Sequence, residues 1–258
     1  MEEPIAHHVV LRLRDERVLC RTDADRRRVA RSFLERDPTF NLLAFRTVDT
    51  HLHALLAVAA SLALEFARRV EISIELALRP GSPFAPAYAK PIETQRYLSN
   101  AFDYILDQEQ HHGLTSDPLH EGSNLPDLLG LRLTGGFTTG LVRGFLPRVR
   151  RADLIARLPG GEALDSDEPM GYVHLPHLPA AAAAAACLPH VRGRRPEAVA
   201  ARAAAVAIAE EFTGPATAAR ALGISRAAVK RLRLLQPPPA LVEAVRRQAR
   251  LRAAQTRR

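Results

Sequence analysis

Thr50-His51-Leu52-His53-Ala54-Leu55-Leu56 is the stretch from which the fold is read. Its apolar run predicts a strand, and alternate residues of a strand share a face. His51 and His53 therefore project side by side, while Leu52 points to the opposite face. Just upstream, Phe40 to Thr47 reads as another strand, and Val48-Asp49-Thr50 as the turn of a hairpin. Further out, His8 to Leu13 is a first strand, and Asp23 to Leu34 a helix with Thr22 as its cap. Ser61 to Leu78 carries an apolar stripe at Leu62, Phe66, Val70, Ile74 and Leu78, which predicts a long helix. Arg79-Pro80-Gly81-Ser82-Pro83 breaks it. Tyr88 to Ile92 reads as an edge strand because it contains Pro91. Thr94 caps a helix from Gln95 to His112, stopped at Gly113. The order β-α-β-β-α-β-α predicts an α+β fold, a small antiparallel sheet with helices packed on one face.

The 258 residues carry a net charge of +8, unevenly placed. Residues 1–190 hold 21 Lys+Arg against 24 Asp+Glu, a balance of −3. Residues 191–258 hold 15 against 4, a balance of +11. A polyanion is expected at the C-terminal quarter first. Aromatic residues are scarce and Trp is absent, so an aromatic base-stacking surface is not indicated. Cys20 and Cys187 are too few for a disulfide framework and suit a reduced cytosol. The N-terminus lacks the pattern of a signal peptide, and the alanine tract Ala180–Ala186 is too short to span a bilayer. The expectation is a soluble cytoplasmic protein with no membrane partner.

Paired imidazoles are good ligands for a divalent metal. On the helix before Gly113, Leu98, Ala101, Phe102, Ile105 and Leu106 form the buried side. Tyr104 and Gln108 lie one turn apart on a face that also holds Asn100 and His111. On periodicity alone, an amphipathic helix with a half-buried tyrosine is the better explanation of that face. His7-His8 and His111-His112 read as incidental, with His111 an alternative ligand to Gln108. His174-x-x-His177 and Cys187-x-x-His190 have zinc-like spacing, but each pair encloses Leu-Pro and reads as part of a linker.

His51-Leu52-His53 resembles the histidine–hydrophobic–histidine (HUH) motif of the single-tyrosine transposases. Tyr97-Leu98, Phe102-Asp103-Tyr104-Ile105, His112-Gly113-Leu114 and Asp117-Pro118 resemble the tyrosine helix of the REP-associated tyrosine transposase branch. The resemblance covers roughly residues 5–135. It implies a metal-dependent transposase or nickase that acts on single-stranded or hairpin DNA through a 5′-phosphotyrosine. It further implies Tyr104 as nucleophile, with His51, His53 and Gln108 as ligands of Mg²⁺ or Mn²⁺. The chain departs from the branch at Asp107-Gln108-Glu109-Gln110, where an Asn-Pro-Val-Arg-like stretch is common. A balance of −3 over residues 1–190 is also unusual for a domain that must hold DNA, because phosphate contacts dominate affinity.

Residues 1–135 are thus expected to be the transposase-like domain, and 136–196 an irregular segment and Pro/Ala-rich linker. Residues 197–258 are expected to be a basic helix-turn-helix region. There Pro215–Leu222 and Arg226–Leu235 flank a turn at Gly223, with Ser225 as cap and Ala218, Leu222, Ile224 and Val229 as core. Arg226, Lys230, Arg231 and Arg233 would face duplex DNA, at the bacterial nucleoid. A homodimer is compatible with this plan. Two alternatives stay open: a catalytically inactive, domesticated DNA-binding regulator, and a metal-dependent hydrolase of another substrate.

Overall fold

The computed structural model describes residues 3–36 and 38–257. The chain divides into two compact units, residues 1–128 with 134–154, and residues 129–133 with 155–258.

In the first unit, strands β1 (Ala6–Arg12), β2 (Leu42–Thr47), β3 (His51–Leu56) and β4 (Tyr88–Ile92) form an antiparallel sheet in the order β2-β3-β1-β4. Helices α1 (Asp23–Leu34), α2 (Ala60–Leu78) and α3 (Gln95–Leu106) interleave with them, giving the β-α-β-β-α-β-α order. Thr22 and Thr94 accept hydrogen bonds from Asp25 N and Tyr97 N, which satisfies free donors at the starts of α1 and α3. Pro91 is tolerated because β4 is an edge strand and its missing N–H breaks no inner ladder.

Cross-strand register sorts the sheet into two faces. Val9, Ala54 and Phe45 align on one. There Phe45 stacks on Phe33 of α1 at 4.5 Å, and Phe33 meets Phe66 of α2 at 5.8 Å. Val10, His53 and Arg46 align on the other face. α3 packs on that second face against β2 and β3, with Leu98, Phe102 and Ile105 among its buried residues. Helices therefore cover both faces of the sheet, not one as expected. The second face is apolar at one end and polar at the other, so it too needs a cover over its apolar part.

The helix expected from Gln95 to His112 is also interrupted. α3 ends at Leu106, Asp107 leaves helical geometry (φ −93°, ψ 12°), and a short helix α4 (Gln108–His111) follows. The break accompanies the burial of Glu109 beside Arg46 of β2. The short helix α5 (Leu125–Leu128) follows, and residues from 136 on that are expected to be irregular carry α6 (Gly136–Phe145) and α7 (Arg151–Ile155).

The second unit corrects the linker reading of residues 158–196. The alanine tract is helix α8 (Leu178–Ala185), whose Leu178, Ala181, Ala182 and Ala185 are fully buried. They pack in one core with Ala201, Ala205 and Ile208 of α9 (Pro196–Glu210) and Val245 and Ala249 of α12 (Pro239–Thr256). Alanine methyls let helix backbones approach closely, and a tract without polar contrast carries no periodicity to announce it. Ala182→Leu is expected to destabilise this unit by roughly 1–3 kcal/mol through overpacking. Urea unfolding followed by circular dichroism checks this, with half-buried Ala180 as the site of a milder control substitution.

Between α9 and α12, α10 (Pro215–Leu222) and α11 (Arg226–Leu232) flank Gly223. Gly223 has φ +63°, a left-handed conformation that favours glycine and ends α10. Ser225 accepts from Ala228 N at the start of α11. Ala218 and Val229 are buried, with Leu222 and Ile224 packed against them. Among the described residues, no helix is long and apolar enough to cross a membrane.

Candidate functional site

The site forms where the polar end of the sheet's second face meets the end of α3. His51 and His53 lie on β3 with ring centroids 4.7 Å apart. Tyr104 of α3 sits over His53 at 5.9 Å and beside His111 at 5.2 Å. His112 lies 5.5 Å from His51. The Gln108 side chain lies beside both strand imidazoles. Its Nε2 donates to the Tyr104 carbonyl at 3.2 Å. The four residues singled out in the sequence, His51, His53, Tyr104 and Gln108, are thus brought together. Tyr104 is 42% exposed, so its ring is open to a large substrate.

His8 also belongs to this site, although the sequence reading treated it as incidental. Its Nε2 lies 2.8 Å from His53 Nδ1. Its side chain reaches His53 diagonally, because His8 pairs with Leu55 and Val10 pairs with His53. The adjacent His7 faces the other way, bonding the Val58 carbonyl through Nδ1. A hydrogen bond between two neutral imidazoles uses one proton. If His53 donates it from Nδ1, the His53 Nε2 keeps a bare lone pair.

That nitrogen is the feature that decides what the site can hold. His53 Nε2 and Gln108 Oε1 are both buried, with no hydrogen-bond partner among the described residues. Two such atoms at one site are costly unless something fills the space between them and the solvent. Burial is the chief cause lowering all three imidazoles: His8 to about 4, His51 below its usual value, and His53 well below it. Neutral imidazoles and an amide oxygen form a donor set that fits a divalent cation. Among the described residues, no three His, Cys, Asp or Glu side chains are grouped to hold a metal.

Beneath the site lies a buried ionic cluster. Arg46, across the ladder from His53, is 1% exposed. Its guanidinium meets the His120 ring, the Glu109 carboxylate at 3.3 Å and the Asp117 carboxylate at 4.0 Å. Glu109 also accepts from Ser116 Oγ and Asp117 N. Asp117 accepts from the Glu121 and Gly122 backbone. Burial outweighs the attraction of Arg46 and raises Asp117 to about 6.

Two opposite pH dependences follow. The unfolded chain binds protons at His8 and His53 near pH 6.5 that the folded chain refuses, so their stabilisation is present above 6.5 and lost as pH falls. Asp117 works the other way: its folded pKa lies above the unfolded value, so it favours folding below about 4 and opposes it as pH rises through 6. Each proton is worth at most about 1.4 kcal/mol per pH unit. With three lowered histidines, His8, His51 and His53, against two raised carboxylates, Asp117 and Glu71, stability of the first unit is expected to rise from pH 4.5 to 6.5. In His8→Phe the rise should flatten, as read by thermal melts across that range.

In the second unit, Arg226, Lys230 and Arg231 are exposed on α11. Arg233 differs from expectation. α11 stops at Leu232, and Arg233 follows it as the cap residue, its Nε 3.4 Å from Glu210 of α9.

Comparison with protein-family models, curated proteins and solved structures returns no match to this chain.

Proposed function

We propose that the first unit is a single-tyrosine DNA strand transferase or nickase, related to the REP-associated tyrosine transposases, which cleaves and rejoins single-stranded or hairpin DNA. The observation that carries this reading is an exposed tyrosine beside two neutral imidazoles and two buried polar atoms without a hydrogen-bond partner, His53 Nε2 and Gln108 Oε1. His51, His53 and Gln108 would hold Mg²⁺ or Mn²⁺, which when bound offsets negative charge on a phosphate oxygen. The Tyr104 oxygen attacks phosphorus, forming the phosphotyrosine ester while the bond to the 3′ oxygen breaks. The leaving oxygen takes a proton and departs as a 3′-hydroxyl. The phenolic proton leaves to a neighbouring base, and His111 is the ring nearest Tyr104 by centroid. His8 fixes the orientation of His53. Reversal of the attack rejoins the strand without an external energy source.

The exposed cations Arg226, Lys230 and Arg231 suit α11 to duplex DNA, and Arg233 joins them by exchanging its surface ion pair with Glu210 for a phosphate. Charge also supports a second reading. The first unit carries 19 Lys+Arg and 20 Asp+Glu, the second 17 and 8. A DNA-binding regulator without catalysis would need only the second. Incubation with Mn²⁺ and hairpin oligonucleotides, followed by a search for a denaturant-resistant protein–DNA adduct, separates the two. An adduct supports the strand transferase, and none across a broad hairpin set leaves the regulator.

A further inference from the structure

α3 packs over β2 and β3 and leaves the β1–β4 edge of the same face open. A groove of about 490 Å³ remains between α3 and β4, within the range of sites that hold small ligands. Its lining contains Tyr88, Tyr97 and Tyr104, three of the four tyrosines in the chain. The scarcity of aromatic residues in the sequence argues against a stacking surface, yet the topology gathers them at one place. Tyr88 is 68% exposed on the edge strand, a cost the sheet itself does not require. Lys90 Nζ stands 5.5 Å from the Tyr97 ring centroid, and the Asn100 amide lies on the rim. No carboxylate lines the groove among the described residues.

Open rings, one ammonium and one amide match the parts of a nucleotide: a base face, a phosphate and a base edge. A base in a duplex has both faces covered by its neighbours, so only an unpaired one can stack here. We propose that this groove holds one unpaired nucleotide beside the phosphate attacked by Tyr104, with its base against Tyr88 and its phosphate at Lys90. This rests on the strand-transferase reading for the attacked phosphate, but not for binding. A second hollow of about 640 Å³ shares Asn100 and carries Arg96 and Arg148, which extends the track for neighbouring phosphates along α3. Because every base has a stackable face, the groove selects single strands over duplex and is tolerant of sequence.

The chain has no Trp, so tyrosine emission reports on this groove once the fourth tyrosine, Tyr172, is replaced by Phe. The full chain carrying Tyr172→Phe is titrated with the tetranucleotide dT4, without metal. Saturable quenching is expected, and a short duplex should not reproduce it. Tyr88→Ala and Lys90→Ala should each weaken the dT4 affinity at least fivefold, while Tyr88→Phe retains it. Absence of saturable quenching, or dT4 affinity unchanged from the native value in Tyr88→Ala and Lys90→Ala, overturns the proposal. Adduct formation on hairpin DNA is measured in parallel. Specific dT4 binding without any adduct supports the groove and sinks the strand transferase. Adducts at the native rate in both groove variants sink the groove and leave the strand transferase standing.

Discussion

Tyr104→Phe is expected to abolish the covalent adduct that the proposed strand transferase forms with hairpin DNA, a loss of at least about a thousandfold. The substitution deletes one oxygen from a ring that is 42% exposed and keeps the ring contacts with His8, His53 and His111. The fold is therefore expected to survive with its melting temperature within a few degrees of the native value. Binding of DNA to the basic second unit should be unchanged. The polarity of the product is a stronger check than its mere presence: label 3′ of the cut stays with the protein, and the other fragment ends in a free 3′-hydroxyl. An adduct that persists in Tyr104→Phe sinks the assignment of the nucleophile. Tyr97, on the same helix and lining the same groove, would then be the next residue to replace.

The parts of this chain that sequence reveals are those determined locally. Thr22, Thr94 and Ser225 all cap helices, because a hydroxyl before a helix meets a free N–H whatever the remainder of the fold does. Gly223 ends α10 for a reason equally local. His51 and His53 share a face because strand alternation makes them do so. What depends on distant partners is not legible. His8 reaches His53 only through the register of β1 on β3. The break at Asp107 belongs to Glu109, which is held by an arginine sixty-three residues earlier in the chain. The alanine helix α8 has no contrast in polarity from which its buried side could be read. Tyr88 and Tyr97 acquire a shared groove only when β4 takes the sheet edge next to α3.

The dependence of α4 on Arg46 yields the largest expected effect on stability. Arg46 is the cation between two buried carboxylates, Glu109 and Asp117, at 3.3 and 4.0 Å. Arg46→Ala leaves both without it, and breaking one side of a buried ion pair costs about 3–5 kcal/mol. Arg46→Lys keeps a charge but cannot reproduce the planar fork that also meets His120 and the Asp117 carbonyl, so an intermediate loss is expected. Urea unfolding at pH 7 measures both. The same cluster holds Glu109, next in sequence to Gln108, whose buried Oε1 is with His53 a donor in the proposed metal site. Loosening Glu109 should therefore weaken Mn²⁺ binding, read by electron paramagnetic resonance, in Arg46→Lys at temperatures where the variant is still folded. His53→Ala provides the comparison, since it removes a ligand outright and leaves the ionic cluster intact. If Arg46→Ala costs under about 1 kcal/mol, the cluster does not anchor α4 and the account of how Gln108 is positioned fails.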